Sequence, residues 1–160
     1  MIEYRKGCVV EAFKTGKYFA LLHQANCFNT MNSGVAKAIR ETYPEAYEAD
    51  CKTVKGDRAK LGTYSQAEVT VRGHDLHFII NMYGQYDYGK DGKKYTQVGK
   101  LEQALGSFAE WAVAPSWAIS VCIPKKMGCG LGGADWDTEV VPAIERQLIS
   151  RGIKVHVYEK

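Results

Sequence analysis

The sequence has no apolar run long enough to cross a membrane. Its longest strongly apolar stretch, Trp117 to Ile123, is seven residues and contains Ser120, whereas a spanning helix needs about 20. The opening Met1-Ile2-Glu3-Tyr4-Arg5-Lys6 lacks the apolar core of a signal peptide, so no membrane partner and a cytoplasmic location are expected. Charge of one sign is scarce: 21 Lys and Arg against 18 Asp and Glu leave a net charge of +3, too small a bias to carry duplex binding by counterion release alone. The five cysteines (Cys8, Cys27, Cys51, Cys122, Cys129) are odd in number and include no Cys-x-x-Cys pair. Neither a disulfide framework nor a zinc knuckle is suggested, and reduced, mostly buried thiols are expected. There is no internal repeat, no low-complexity tract and no Gly-x-Ser-x-Gly elbow. Cys129 has no sequence-level histidine partner, so serine or cysteine hydrolase chemistry has little support.

What is present fits one domain over residues 1–160, since domains cluster at about 100–150 residues. Hydrophobic residues at 46% and charged residues at 24% are ordinary for a globular chain. Glycine is not: the 16 glycines are one residue in ten, against about 7% on average. Such an excess means either a loose fold or loops where backbone must approach something closely.

Runs rich in aromatic and β-branched residues predict strands at Ile2–Lys6, Tyr18–His23, Ala67–Val71, Leu76–Met82, Trp117–Pro124 and Lys154–Tyr158, with a hairpin turn at Val71–Leu76. Helical spacing joins Val35, Ile39 and Tyr43, then Leu101, Leu105, Phe108 and Ala112, then Val141, Ile144 and Leu148. Pro142 suits the first turn of the last helix, with Asp137 or Thr138 as its cap. The polar segment Glu48–Lys60 reads as a solvated loop or irregular helix end. Alternating strands and helices with crossovers of this length give an α/β fold, a three-layer α/β/α sandwich with a mixed, mainly parallel sheet. Ligands of such sheets bind beyond the carboxyl ends of the strands. Three segments gather there: Gln24–Gly34, Tyr83–Thr96 and Lys125–Asp135.

Gly128-Cys129-Gly130-Leu131-Gly132-Gly133 satisfies Gly-x-Gly-x-x-Gly between a strand and a helix. It is either a phosphate-binding loop, with Lys125 and Lys126 adding positive potential, or a tight structural turn. A dinucleotide-binding Rossmann unit would place it early in the chain, and here only one strand follows. Gly84-Gln85-Tyr86-Asp87-Tyr88-Gly89-Lys90-Asp91 resembles a P-loop, but Asp91 replaces the metal-binding hydroxyl and no helix follows. The tyrosines between Tyr83 and Tyr95 form an aromatic cluster or a wall on which a base or ribose stacks. His23-Gln24-Ala25-Asn26-Cys27 brings an imidazole and a carboxamide to the ligand edge, where the histidine is a satisfied core group or a catalyst and Asn26 suits a sugar diol. His74 and His77 lack a third metal ligand and are expected at the surface. Asp135 is either an acid with a raised pKa near bound phosphate or a helix N-cap.

Three motifs together carry a resemblance: His-Gln-Ala-Asn-Cys at 23–27, Ser-Gly-Val-Ala at 33–36, and Gly-Cys-Gly-Leu-Gly-Gly-Ala-Asp-Trp at 128–136. In this combination the chain resembles the macrodomain family over nearly its whole length. The likeness is to the branch that includes yeast ADP-ribose 1''-phosphate phosphatase and terminal ADP-ribose protein glycohydrolase.

The resemblance implies an ADP-ribose cleft at the strand ends. Asn26 would bind the distal ribose, and Met31, Asn32, Ser33, Gly34 and Val35 would wrap that ribose and the diphosphate. Gly128, Cys129, Gly130, Leu131, Gly132 and Gly133 would form the second phosphate loop, with Tyr83 or Tyr86 lining the pocket. His23 would be nucleophile or base and Asp135 general acid, with no metal and no cofactor. The implied activity is removal of the terminal phosphate from ADP-ribose 1''-phosphate by a monomer. The alternatives are hydrolysis of ADP-ribosyl esters on proteins or nucleic acids, and a non-enzymatic ADP-ribose reader. Some positions depart from the family pattern. Cys8 stands where an aspartate commonly reads adenine, Ile80-Asn81-Met82 and Gly132 stand where the glycohydrolase relative uses a lysine at the end of the fourth strand and an aspartate, and Asn32-Ser33 replaces glycines beside the ribose.

Overall fold

A computed structural model describes residues 1–73, 75–113, 118–127 and 132–160. The strands are β1 (Ile2–Lys6), β2 (Ala20–Ala25), β3 (Tyr64–Val71), β4 (Asp75–Tyr83), β5 (Ser120–Pro124) and β6 (Lys154–Glu159). The helices are α1 (Val9–Phe13), α2 (Gly34–Thr42), α3 (Pro44–Cys51), α4 (Val98–Val113) and α5 (Val141–Gln147), the last preceded by a π-helical turn at Trp136–Val140. The strands form one mixed sheet in the order β1-β6-β5-β2-β4-β3, in which only the β3–β4 hairpin is antiparallel.

The layers follow from side-chain alternation along buried strands. Ala20 and Leu22 of β2 and Ile80 and Met82 of β4 join Leu101, Leu105 and Phe108 of α4 and Ile144 of α5 in one cluster. Leu21 and Ile79, one residue out of phase, join Phe13 of α1, Ile39 of α2 and Ala46 of α3 on the other face. None of the helices among the described residues is long and apolar enough to cross a membrane.

Two short helices differ from the sequence expectation. α1 has five residues, too few to show a period, yet it buries Val9, Val10 and Phe13. α3 begins at Pro44, whose fixed φ suits a first turn, and carries the chain to Cys51, so Glu48–Lys60 is not simply solvated loop. Asp50 within α3 is fully buried, and Lys60 is nearly so. His77 is also buried, its Nδ1–H donating to the Tyr18 carbonyl at 2.6 Å and its ring edge-on to Phe13, which corrects the expected surface position. His74 lies outside the described residues. Cys27 and Cys122 are buried, Cys8 is half-buried and Cys51 is exposed.

The register opens the site. β2 pairs with β4 over six residues, Ala20↔Phe78 to Ala25↔Tyr83, but with β5 only at Ala20↔Val121 and Leu21↔Cys122. Past Leu21 the two parallel strands separate, leaving a crevice between the carboxyl ends of β2 and β5. This is where the chain order reverses across the sheet, the expected place for a ligand.

Candidate functional site

The crevice is a cleft of about 680 Å³, within the range of small-molecule sites. Its floor is the end of β2, His23 to Asn26; one wall is Thr30–Ala36, and the other runs from Pro124 to Met127, with Gly132. Tyr88, Gly89 and Lys90, from the loop that follows β4, line its rim. Among the described lining residues three are lysines, Lys90, Lys125 and Lys126, and none is acidic. At the α2 end, Ser33 makes no side-chain cap, and the N–H groups of Gly34, Val35 and Ala36 have no intrahelical acceptor, the arrangement by which a helix N-terminus can take an anion.

The first loop is held in a demanding conformation. Asn29 and Met31 have φ of 57° and 42°, a region costly for side-chain-bearing residues. Packing beneath the loop maintains it: Lys60 Nζ donates to the Cys27 carbonyl at 3.0 Å and to Asn29 Oδ1 at 2.7 Å, and Arg40 donates to the Thr30 carbonyl at 2.8 Å. Asn26 is engaged at both ends of its amide, accepting from the Phe28 N–H at 2.8 Å and donating to Thr30 Oγ1 at 2.7 Å. The loop is therefore shaped before any ligand arrives.

The remaining loops are tied to one another. The Gly132 carbonyl accepts from the N–H groups of Tyr95 and Thr96 at 2.8 and 2.9 Å, and Gln24 donates to Gln85 Oε1 and Thr96 Oγ1 at 2.6 and 2.8 Å. Gly133 has φ of 79°, and a Cβ there would meet Lys94 Cα at 3.0 Å, so glycine is required. Gly128, Cys129, Gly130 and Leu131 lie outside the described residues.

The structure brings His23, Asn26, Met31, Asn32, Ser33, Gly34, Val35 and Gly132 to the cleft. It does not bring Tyr83 or Tyr86 there. The Tyr83 ring is buried under β4 with its hydroxyl on Asp50, and the Tyr86 hydroxyl donates to the Gly56 carbonyl at 2.7 Å while Arg58 stacks on its ring. The lining tyrosine is Tyr88, half-exposed. Strand parity places Tyr83 with Ile79 and Asn81, which was a readable signal; nothing local in the sequence singles out Tyr88. Lys90, also missed as a site residue, sits at the lysine position of the near P-loop.

Two candidate chemical groups have well-defined states. His23 is 2% exposed, and burial draws its pKa down to about 4, against the opposing pull of its hydrogen bond to Asn81. It is neutral at pH 7. Asp135 is exposed and does not line the cleft among the described residues. Its Oδ1 accepts from the N–H and Oγ1 of Thr138 at 2.9 and 2.8 Å, and Glu139 reaches back to the Asp135 N–H at 3.0 Å. These bonds hold its carboxyl below the usual range. Of the two readings of Asp135, the raised-pKa acid is reversed and the N-cap is found: it caps the π-helical turn, with Glu139 as its reciprocal partner, while α5 itself follows Val140 and not Asp137 or Thr138. Asp135→Ala should lower stability by about 1 kcal/mol in a denaturant titration while leaving any phosphate release unchanged. A large loss of turnover without loss of stability would restore its role as an acid. Among the described residues no cluster of three or more His, Cys, Asp or Glu could hold a metal ion.

The Macro domain family matches residues 22–142, which include the floor and all three loops. The chain belongs to the Macro domain family. Over 138 residues this macrodomain is 34% identical to an uncharacterized 17.5 kDa protein of the tk-vs intergenic region of Enterobacteria phage T4, covering 86% of this chain and 84% of the phage protein. Its fold is similar to the macrodomain of Thermus aquaticus DarG, with a TM-score of 0.74, 22% identity, and coverage of 100% and 99% of the two chains. It is similar also to Thermosipho africanus DarTG, solved in complex with ADP-ribose, with a TM-score of 0.72, 17% identity, and coverage of 99% of this chain and 42% of the other. These two likenesses concern the fold.

Proposed function

We propose that this macrodomain binds ADP-ribose in the cleft between β2 and β5 and hydrolyses ADP-ribose 1''-phosphate to ADP-ribose and phosphate. The observation that carries the reading is the lining: Lys90 and Lys126, with Lys125 ion-paired to Glu159, a helix N-terminus without a side-chain cap, no carboxylate among the described lining residues, and one neutral histidine on the floor. Such a lining favours the most highly charged member of the ADP-ribose series, because a terminal monoester adds close to two negative charges. The fold relative in complex with ADP-ribose supports the ligand class. In hydrolysis a water oxygen bonds to phosphorus, the bond from phosphorus to the anomeric oxygen breaks, the departing oxygen takes a proton from solvent, and the proton of the attacking water needs an acceptor. His23 is the neutral group to take it. Hydrolysis of an ADP-ribosyl ester on a macromolecule is the second reading, favoured by the cleft's open rim at Tyr88–Lys90.

The test is calorimetry with ADP-ribose, followed by assays of free phosphate from ADP-ribose 1''-phosphate and of free ADP-ribose from ADP-ribosylated protein. Ser33 is exposed at the start of α2, so Ser33→Glu places a carboxylate at the diphosphate end without touching the core. It should weaken ADP-ribose binding by about tenfold or more, the scale of a charge at a helix terminus combined with direct repulsion. His23→Gln should retain binding and lose about a hundredfold in phosphate release. Phosphate release at the wild-type rate in His23→Gln would remove His23 from the chemistry; no ADP-ribose binding by the wild-type chain would sink the whole reading.

A further inference from the structure

His23 makes one short side-chain hydrogen bond, and the Gln24 backbone lies near its ring. Its Nε2 lies 2.6 Å from Asn81 Oδ1 across the β2–β4 register, whereas its Nδ1 is buried and has no hydrogen-bond partner in the protein. The direction of the bond to Asn81 follows from chemistry at the far end. Asn81 Nδ2 lies 3.0 Å from the Ala46 carbonyl, a group that can only accept, and 3.0 Å from Ser65 Oγ. The amide nitrogen therefore faces α3 and β3, which turns Oδ1 to the histidine and makes Nε2 the donor.

A second anchor agrees. Ser65 Oγ and the Tyr83 hydroxyl are 2.8 Å apart, and the Tyr83 hydroxyl donates to Asp50 Oδ1 at 2.6 Å. With the tyrosine proton on the carboxyl group, Ser65 must donate to Tyr83 and accept from Asn81. The bonds run one way, from His23 through Asn81, Ser65 and Tyr83 to a fully buried carboxyl group.

We propose that Asn81 is a positioning residue of the cleft: its amide, pinned by the Ala46 carbonyl, locks the imidazole as its Nε2–H tautomer and reserves Nδ1 as the acceptor for a hydroxyl or water of the bound ligand. An amide cannot pass a proton along this path without changing its own bonding, so Asn81 orients the imidazole and does not conduct. The role of Nδ1 rests on the ADP-ribose reading of the previous subsection; the tautomer does not.

The experiment is long-range proton–nitrogen correlation of the His23 ring in the full chain at pH 7, with and without ADP-ribose. In the wild type, Nε2 should show the shift of a protonated nitrogen and Nδ1 that of a bare one, and ADP-ribose should move Nδ1 while leaving Nε2 in place. Asn81→Asp keeps an acceptor at Oδ1 but brings a charge, so the His23 titration midpoint should rise by more than one pH unit. Asn81→Ala should abolish the single tautomer and lower phosphate release about a hundredfold at a KM within about threefold of wild type. Because Asn81→Ala risks the fold, Tyr83→Phe is the second variant. It cuts the chain at Asp50 but leaves Ala46 holding the amide, and the Nε2–H tautomer should persist.

A merely structural Asn81 would lower the melting temperature without changing the ring nitrogens. A wild-type ring protonated on Nδ1 overturns the proposal, as does an Nδ1 signal unmoved by saturating ADP-ribose. Failure of ADP-ribose to bind overturns the reservation of Nδ1 together with the functional reading, while an Nε2–H ring still supports the lock.

Discussion

Replacing Phe108 by alanine is expected to lower the unfolding free energy by about 3–5 kcal/mol, the cost of an emptied aromatic site in a core that relaxes only in part. Phe108 is fully buried in the middle of α4, within the cluster that joins α4 and α5 to the sheet, and its ring stands edge-on to Tyr64 of β3 with centroids 6.2 Å apart. For a chain of 160 residues this amounts to a fall of about 10 °C in melting temperature, to be read by calorimetry and by guanidinium titration. Trp111, one turn further along α4 and 38% exposed, should cost clearly less when truncated. A Phe108→Ala loss below about 1 kcal/mol would show that α4 does not clamp the sheet. Phe108 does not line the cleft, so ADP-ribose affinity measured well below the transition should be unchanged in this variant.

That contrast between α4 and the short helices explains how much of the fold the sequence revealed. α4 spans Val98–Val113, several turns over which Leu101, Leu105, Phe108 and Ala112 repeat at helical spacing, and the central strands β2 and β5 stand out because burial on both faces makes their apolar runs nearly continuous. α1 has barely one turn. α3 is polar, and of its two buried members, Ala46 and Asp50, the second belongs to the residue types that hydrophobic patterning assigns to solvent. What buries Asp50 is the Tyr83 hydroxyl, and what buries Lys60 is the carbonyl of Cys27 together with Asn29. These partners are distant in sequence and meet only once β2 and β4 are paired, so no local pattern announces them.

The candidate site was legible to a different depth. The motifs at 23–27 and 33–36 place the floor and the first loop correctly, because a strand end and a helix start are both local features. The assignment of Asp135 between acid and cap depended on what Thr138 and Glu139 do with it, and the identity of the lining tyrosine depended on how the loop after β4 folds back. Of the three lining lysines, Lys125 and Lys126 flank the glycine loop in sequence, whereas Lys90 comes from the loop after β4 and joins them only in the fold. The glycine excess now has partial support as a property of close-approaching loops, since Gly133 has no room for a side chain against Lys94.

Between pH 6.5 and pH 4 the protein should lose about 3 kcal/mol of stability through His23 alone. An unfolded histidine titrates near 6.5, whereas burial holds the folded pKa at about 4. Above pH 6.5 both states are neutral and the group contributes its full share. As pH falls below 6.5 the unfolded state takes up a proton that the folded state refuses, so stability drops until the folded pKa is reached; the interval of about 2.5 units corresponds to about 3 kcal/mol. Asp50 works in the opposite sense. Burial pushes its carboxyl up, so the folded state binds that proton more readily than the unfolded chain, and stability is gained as pH falls toward the range of an unfolded aspartate. The two effects partly mask one another in the wild type, and the histidine contribution has to be read by difference. Urea titrations at pH 7 and pH 4.5 on the wild type and on His23→Gln should show a smaller acid loss in the variant, by about 2–3 kcal/mol. Equal losses would mean that His23 is protonated in the folded protein well above pH 4, and an imidazolium on the cleft floor could not serve as the proton acceptor assigned to it here.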